Sequence, residues 1–302
     1  MVEILTDSAQ LAEFLDCLHL GEVRPVIWAT TLDAPQSNHL TFCTDPASTQ
    51  LEKWNKVSGV IIGPKDLSSP ASCAHVVSDY PRRDFGLVLR EFFVPAAMAE
   101  IASSAVIHES AVIGRRVSIG SNSVVEEGVV LGDDVTIGHN TTVLARTQIG
   151  DRSTIGSNTV LGSVGFGLEK DDQNNWFRIP HIGRLEIGSD VEIGSSTVIA
   201  RGTISATRIG KFCRIDDNVF IAHNVEIEEN TVIIANSEIS GSVKIGRNAW
   251  IAPGVTIIEG VSVGENTLVG IGSVVIRDIM PNVVAVGNPA RVLRDRSPYE
   301  FS

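Results

Sequence analysis

The side chains able to do chemistry in this chain are few and widely spaced. There are seven histidines and four cysteines in 302 residues. A neutral imidazole titrates near physiological pH, so a positioned histidine can accept a proton from a nucleophile as a new bond forms. His223 stands in the tetrapeptide IAHN with Asn224 after it, His139 in IGHN, and His181 in RIPHIG. A catalytic zinc would need three converging ligands. His139, His181 and His223 are spread along the chain and no two histidines stand five residues apart, so a metal hydratase is the weaker reading and no metal ligand is assigned. Cys17, Cys43, Cys73 and Cys213 show no C-x-x-C spacing, which suits a reducing cytoplasm and suggests neither a disulfide framework nor a thiolate metal site.

The element that must position these residues is a repeat. An aliphatic residue recurs every six positions from Ile101 through Ile107, Ile113 and Ile119 to Leu161. It recurs again at Ile187, Ile193 and Ile199, and from Ile209 through Ile215, Ile221 and Ile227 to Val275. Heptads are excluded by the period and by the dominance of β-branched residues. Glycine usually follows the aliphatic residue. Asn recurs at the corner, as Asn122, Asn140, Asn158, Asn224, Asn230, Asn236, Asn248 and Asn266, where its tolerance of the left-handed backbone region suits a sharp bend. Each hexad therefore reads as a short strand plus a corner, and three of them close a coil of about 18 residues. Such coils stack at about 4.8 Å, with the aliphatic residues in a continuous inward column. A parallel β-helix is expected over 99–280, with a polar, glycine-rich excursion at 162–186 and a smaller irregularity, RGTISATR, after Ile199. Long loops that leave a rigid scaffold commonly carry function.

Residues 1–98 lack the repeat and read as a small α/β domain. Asp7 or Ser8 caps a short helix with Leu11, Phe14, Leu15 and Leu18 on one face, VSGVIIG is a buried strand, and a second helix lies near Arg82–Phe93. Residues 281–302 read as a cap on the open end of the solenoid. The composition agrees: 43% hydrophobic but only 5% aromatic, so Val, Ile and Leu must fill the core. The formal charge of −12 disfavours a nucleic-acid partner. Neither a signal peptide nor an apolar stretch of spanning length is evident, so a cytoplasmic protein is expected.

Four stretches carry a family resemblance: NHLTFCTDP, IASSAVIHESAVIG, GFGLEKDDQNNWFRIPHIGRLEIG and IDDNVFIAHNVEI. Together they resemble the UDP-3-O-acylglucosamine N-acyltransferases of lipid A synthesis, hexapeptide-repeat enzymes. The resemblance implies a left-handed β-helix, a homotrimer, and transfer of an acyl group from a thioester to the amine of a nucleotide-linked amino sugar, with no permanently bound cofactor. It makes His223 the general base. It places Phe42 and Asp45 in the nucleotide-contacting segment, and Gly165, Phe166 and Asn224 at the substrate. The chain departs from the family pattern at Ser48, Ala200, Asn236 and Ser237. It ends in VGNPARVLRD, which looks like the end of acetyl-CoA-using hexapeptide enzymes, rather than in a helical extension. A short acyl-CoA donor is therefore slightly favoured over acyl carrier protein, with Lys244, Arg247, Arg291, Arg294 and Arg296 as the basic residues a carrier would need.

Periodicity alone gives blander readings. His223 occupies a variable corner position, held elsewhere by Ser121, His139, Ser157, Glu229 and Arg247, and without the resemblance it reads as a solvated corner residue. His139 keeps that reading. Asn224 is sufficiently explained by backbone geometry, Phe42 could be core, and Phe166 and Trp176 could pin the long loop. A non-catalytic scaffold is the remaining alternative.

Overall fold

Each hexad folds as a two-residue strand followed by a corner, and the inward column is nearly solvent-free: Ile137, Ile155, Ile193, Ile215, Ile239 and Ile257 are all at most 2% exposed. The computed structural model describes residues 4–95 and 99–297. The chain divides into two compact units, Met1–Ala97 and Met98–Ser302.

In the second unit the strands stack in parallel as three faces. One runs from Ser118–Ile119 to Leu268–Val269, the next from Val106–Ile107 to Val274–Val275, and the third from Val112–Ile113 to Ser262–Val263. Register is held residue for residue, Ile119 beside Ile137 and Ile137 beside Ile155. The expected corner asparagines adopt positive φ, 60° at Asn122 and 59° at Asn224. Several also form a ladder, Asn230 Nδ2 donating to Asn248 Oδ1 at 2.8 Å and Asn248 to Asn266 at 3.0 Å.

A second column, not read from the sequence, is polar and buried. The hydroxyls of Ser123, Thr141, Thr159 and Thr197 donate to the carbonyls of Gly138, Gly156, Gly194 and Asp216 at 2.6–2.8 Å. Each also accepts an N–H from the next coil. Both hydrogen-bonding faces of these hydroxyls are used, so their burial carries no desolvation penalty left unmatched.

The stack extends past residue 280. Ile279 bridges to Val263, and Val283–Val286 adds a parallel strand beside Leu268–Val269. The helix thus continues to Val286 because Ile279 and Ala285 still fill the inward column, which the six-residue count lost at the irregular DIMPNV turn. Arg291–Asp295 then folds back antiparallel on Val283–Val286, covering that sheet edge.

The first unit has a five-stranded sheet, ordered Leu18–Leu20, Ala74–Val77, Val60–Gly63, His39–Phe42, Trp28–Ala29. Val60, Ile61 and Ile62 are fully buried. Helix Ser8–Phe14 begins at Asp7, whose carboxylate accepts from the Ala9 and Gln10 amides. It is shorter than its apolar spacing suggests: Asp16 takes φ 52°, the chain turns, and Leu18 stands exposed in a strand instead of on the helix face. The second helix is Pro81–Val88, continued by a wider turn over Leu89–Phe93.

Candidate functional site

Both interruptions of the repeat fall on one corner of the solenoid. The excursion leaves after strand Val160–Ser163 and re-enters at Arg184–Ile187. The smaller one lies between Val198–Ala200 and Ala206–Ile209. His223 lies between Phe220–Ile221 and Glu226–Ile227. In each case the first strand belongs to the face that starts at Val106 and the second to the face that starts at Val112. Stacked coils therefore bring the long loop, the irregular turn and His223 together.

Asn224 orients His223. The Thr203 backbone N–H, which can only donate, reaches Asn224 Oδ1 at 2.8 Å. That fixes the amide, so its Nδ2 group donates to Thr203 Oγ1 at 3.1 Å and to His223 Nδ1 at 3.0 Å. Nδ1 of His223 is thus an acceptor, and the neutral ring carries its hydrogen on Nε2. Periodicity explains Asn224 by backbone geometry, with which its φ of 59° agrees, and the resemblance puts it at the substrate; in the structure its side chain is engaged by Thr203 and His223.

His181, which sequence reasoning left unassigned, sits against His223 with ring centroids 4.8 Å apart and planes at 62°. Its Nδ1 lies 2.8 Å from the Ile179 carbonyl oxygen, an obligate acceptor, so Nδ1 carries the hydrogen and Nε2 presents a lone pair. That Nε2 is buried and has no hydrogen-bond partner among the described residues. Burial, and then the neighbouring His181, push the His223 pKa below its usual value, while Glu259 opposes them. The neutral form of His223 is thereby favoured.

Two glycines make room for the pair. A Cβ on Gly165 would lie 2.5 Å from His181 Nε2 and 3.0 Å from His223 Cδ2. A Cβ on Gly241 would lie 2.8 Å from His223 Cε1. Gly165, which the resemblance places at the substrate, therefore lies against both histidines. Phe166 is displayed beside it, 69% exposed, with the Arg178 guanidinium 4.7 Å over its ring. Trp176 is similarly exposed under Lys170.

Phe42 and Asp45 belong to the other unit. Phe42 is half-buried, its ring 5.0 Å from that of Phe85, and Asp45 is exposed, its carboxylate accepting from the Ala47 amide. His139 is an exposed corner residue whose Nδ1 accepts the Ser121 N–H at 2.9 Å. The basic residues proposed for a carrier are partly engaged: Lys244 pairs with Glu226, Arg247 with Glu265, and Arg296 donates to the Asn248 carbonyl. No group of three or more His, Cys, Asp or Glu among the described residues is placed to hold a metal ion. Nor is any described helix long and apolar enough to cross a membrane.

The repeat matches two family models, Bacterial transferase hexapeptide (six repeats) over 128–163 and Hexapeptide repeat of succinyl-transferase over 224–259. Both stretches carry the six-residue period. A UDP-3-O-acylglucosamine N-acyltransferase of Nitrosococcus oceani is 40% identical to this chain over 204 residues, 61% of the chain and 59% of the relative's length. The chain thus spans less than two thirds of the curated relative it matches. Among solved structures, a UDP-N-acetylglucosamine acyltransferase from Bacteroides fragilis superposes with a TM-score of 0.58 at 26% identity, over 64% of this chain and 73% of that one. LpxA from Acinetobacter baumannii gives 0.59 at 26% identity, with the same coverage.

Proposed function

We propose that this protein is an acyltransferase that moves an acyl group from a thioester to the amine of a nucleotide-linked amino sugar, in the assembly of lipid A or a related surface glycan. The observation that carries the reading is the corner itself. The histidine of IAHN is half-buried, held toward its neutral form by burial, oriented by Asn224, and set on the corner from which the long loop leaves the solenoid. Amide formation needs what such a corner can supply: proton transfer from the attacking amine, and a donor for the oxyanion that forms as nitrogen adds to the thioester carbonyl. The named relative and the solved acyltransferases support the same class. His223 is the catalytic histidine in this reading, Asn224 its orienting partner, and Gly165 and Phe166 the loop residues at the acceptor sugar. Phe42 and Asp45 contact the nucleotide. No bound cofactor is invoked; the co-substrate is an acyl-CoA or acyl carrier protein thioester, with a short acyl-CoA favoured. The three flat faces suit a closed threefold assembly, for which we propose a homotrimer; sedimentation as a stable monomer at micromolar concentration would contradict it.

The deciding experiment is mass spectrometry of products from a panel of nucleotide amino sugars, each with acetyl-CoA and with acyl carrier protein thioesters. A mass gain of one acyl group on the sugar amine is expected. Absence of acyl transfer to every acceptor from both donor classes would refute the reading. Turnover only with a long hydroxyacyl carrier protein would overturn the preference for a short acyl-CoA and leave the rest standing.

A further inference from the structure

We infer that a groove beside this corner holds the diphosphate of the acceptor, and that Arg184 and Arg208 grip it. The inference rests on the acyl-transfer reading for the identity of the ligand, but not for the existence of an anion site. The groove has a volume of about 630 Å³, within the range of small-molecule sites. Both interruptions of the repeat build it: Ile182 to Arg184, at the end of the long excursion, and Ile204 to Ala206, from the irregular turn. Arg146 lines it from the preceding coil, whose strand at Thr147 pairs with Leu185.

Three guanidiniums meet one carboxylate there. Arg184 Nε lies 2.5 Å from Glu186 Oε1, and Arg208 Nε lies 3.0 Å from Glu186 Oε2. Arg146 donates through Nη1 to the Ile182 carbonyl, a neutral acceptor that leaves its charge uncompensated. Three positive groups against one negative give a local balance of +2, on a chain whose formal charge is −12. Glu226, beside Arg208 in the register, is paired with Lys244. A guanidinium carries five N–H donors and a carboxylate only two oxygens, so both arginines keep donors to spare. Their side chains stay 56% and 48% exposed. Planar forks of this kind match phosphate oxygens two at a time, and an anion between two guanidiniums relieves their mutual repulsion.

Distance selects which phosphate fits. Arg208 lies one strand before Glu226, and Arg184 one strand before Ala206. Strands stack at about 4.8 Å, so the two arginines stand roughly 5 and 10 Å along the axis from the coil of His223. An extended chain advances about 1.3 Å per bond, so an amine four to six bonds from the nearer phosphorus of a nucleotide-linked sugar is roughly 5–8 Å from it. The phosphate of a pantetheine thioester is about thirteen bonds from its sulfur, or roughly 16 Å. An acceptor with its amine at His223 therefore reaches both arginines with its diphosphate, and an extended donor arm overshoots them. The groove and the histidine also share a wall. Thr203 holds Asn224, which holds His223, and the next residues of that turn line the groove. An anion seated there bears on the turn that orients the histidine.

The test is isothermal titration calorimetry of the whole protein with UDP, uridine and coenzyme A. R184Q and R208Q are each expected to weaken UDP about 10-fold, the loss typical of a charge-assisted hydrogen bond. E186Q removes the competing carboxylate and is expected to tighten UDP several-fold. Damage to the fold would not produce opposite signs at partners in one ion pair. Uridine, lacking phosphate, should not respond to either arginine. UDP binding that is absent in the wild type, or equal in all four proteins, overturns the inference. Loss of coenzyme A binding in the arginine variants with UDP unchanged assigns the groove to the donor and also overturns it. With an active acceptor in hand, R208Q should raise the acceptor KM while kcat and the thioester KM change little. Arginine-dependent UDP binding without acyl transfer to any amino sugar would sink the functional reading and leave the groove. Acyl transfer whose acceptor KM ignores both arginines would sink the groove and leave the function.

Discussion

Gly241→Ala tests whether the placement of His223, rather than its mere presence, sets the rate. The new methyl carbon would stand 2.8 Å from Cε1, 3.0 Å from Nε2 and 3.3 Å from Nδ1 of His223, where ordinary contact begins at 3.4 Å. The ring must therefore retreat by roughly 0.6 Å, and a displacement near 1 Å from a reacting group costs on the order of 10²-fold in rate. Its escape is limited on the other edge, because Gly165 approaches Cδ2, and sliding also lengthens the 3.0 Å contact to Asn224. No strain is added to the backbone, since Gly241 is not among the glycines at positive φ. The expected outcome is a fall of about 10- to 100-fold in kcat/KM, with destabilisation within the ~1–3 kcal/mol of ordinary overpacking. The assay is acyl-product formation followed by mass spectrometry, alongside thermal unfolding. Gly86→Ala is the control: it lies in helix Pro81–Val88, and nothing stands within 4 Å of the added carbon. That variant should keep full activity and gain roughly 0.5–1 kcal/mol of stability. A G241A enzyme within threefold of wild type would show that the packing around His223 does not govern turnover.

Other outcomes follow from the same geometry. H223A should lose ~10²–10⁴ in turnover with an unchanged circular dichroism spectrum, while H139A, at an exposed corner, should be nearly silent; equal losses in both would remove the assignment. Burial lowers the pKa of His223 and of His75, the latter against opposing hydrogen bonds to Gly63 and Pro64. The unfolded chain then binds protons more readily, so stability is full above about pH 6.5 and declines as pH falls through the lowered folded values. Urea midpoints measured from pH 8 to 5 should fall, and a flat profile would contradict the burial argument. Burial pushes the Cys213 thiol up to about 11, so it should resist iodoacetamide at pH 8 until the β-helix unfolds; rapid labelling of native Cys213 would show the coil open there.

The solenoid was legible because one aliphatic residue in six must point inward and the corner must tolerate positive φ, two local requirements that write themselves into spacing. The sequence also singled out IAHN and the glycine–phenylalanine–glycine loop, which the fold brings to one corner. His181 was not, although the signal was present. Counting hexads in threes from Leu161 puts the excursion, the RGTISATR irregularity and His223 on the same corner, and His181 stands near the end of the excursion, three residues before strand Arg184–Ile187 begins. What no count of residues could give is the state of each ring. The Thr203 N–H and the Ile179 carbonyl decide it, and they meet the histidine sites only because the 20-residue stretch between the Val160–Ser163 and Arg184–Ile187 strands and a shorter turn one coil later are folded back onto the corner. Hydrogen positions depend on partners brought together by the fold, whereas the six-residue period depends only on each strand's own alternation, so the sequence determined the scaffold and the tertiary structure decided which nitrogen can take a proton.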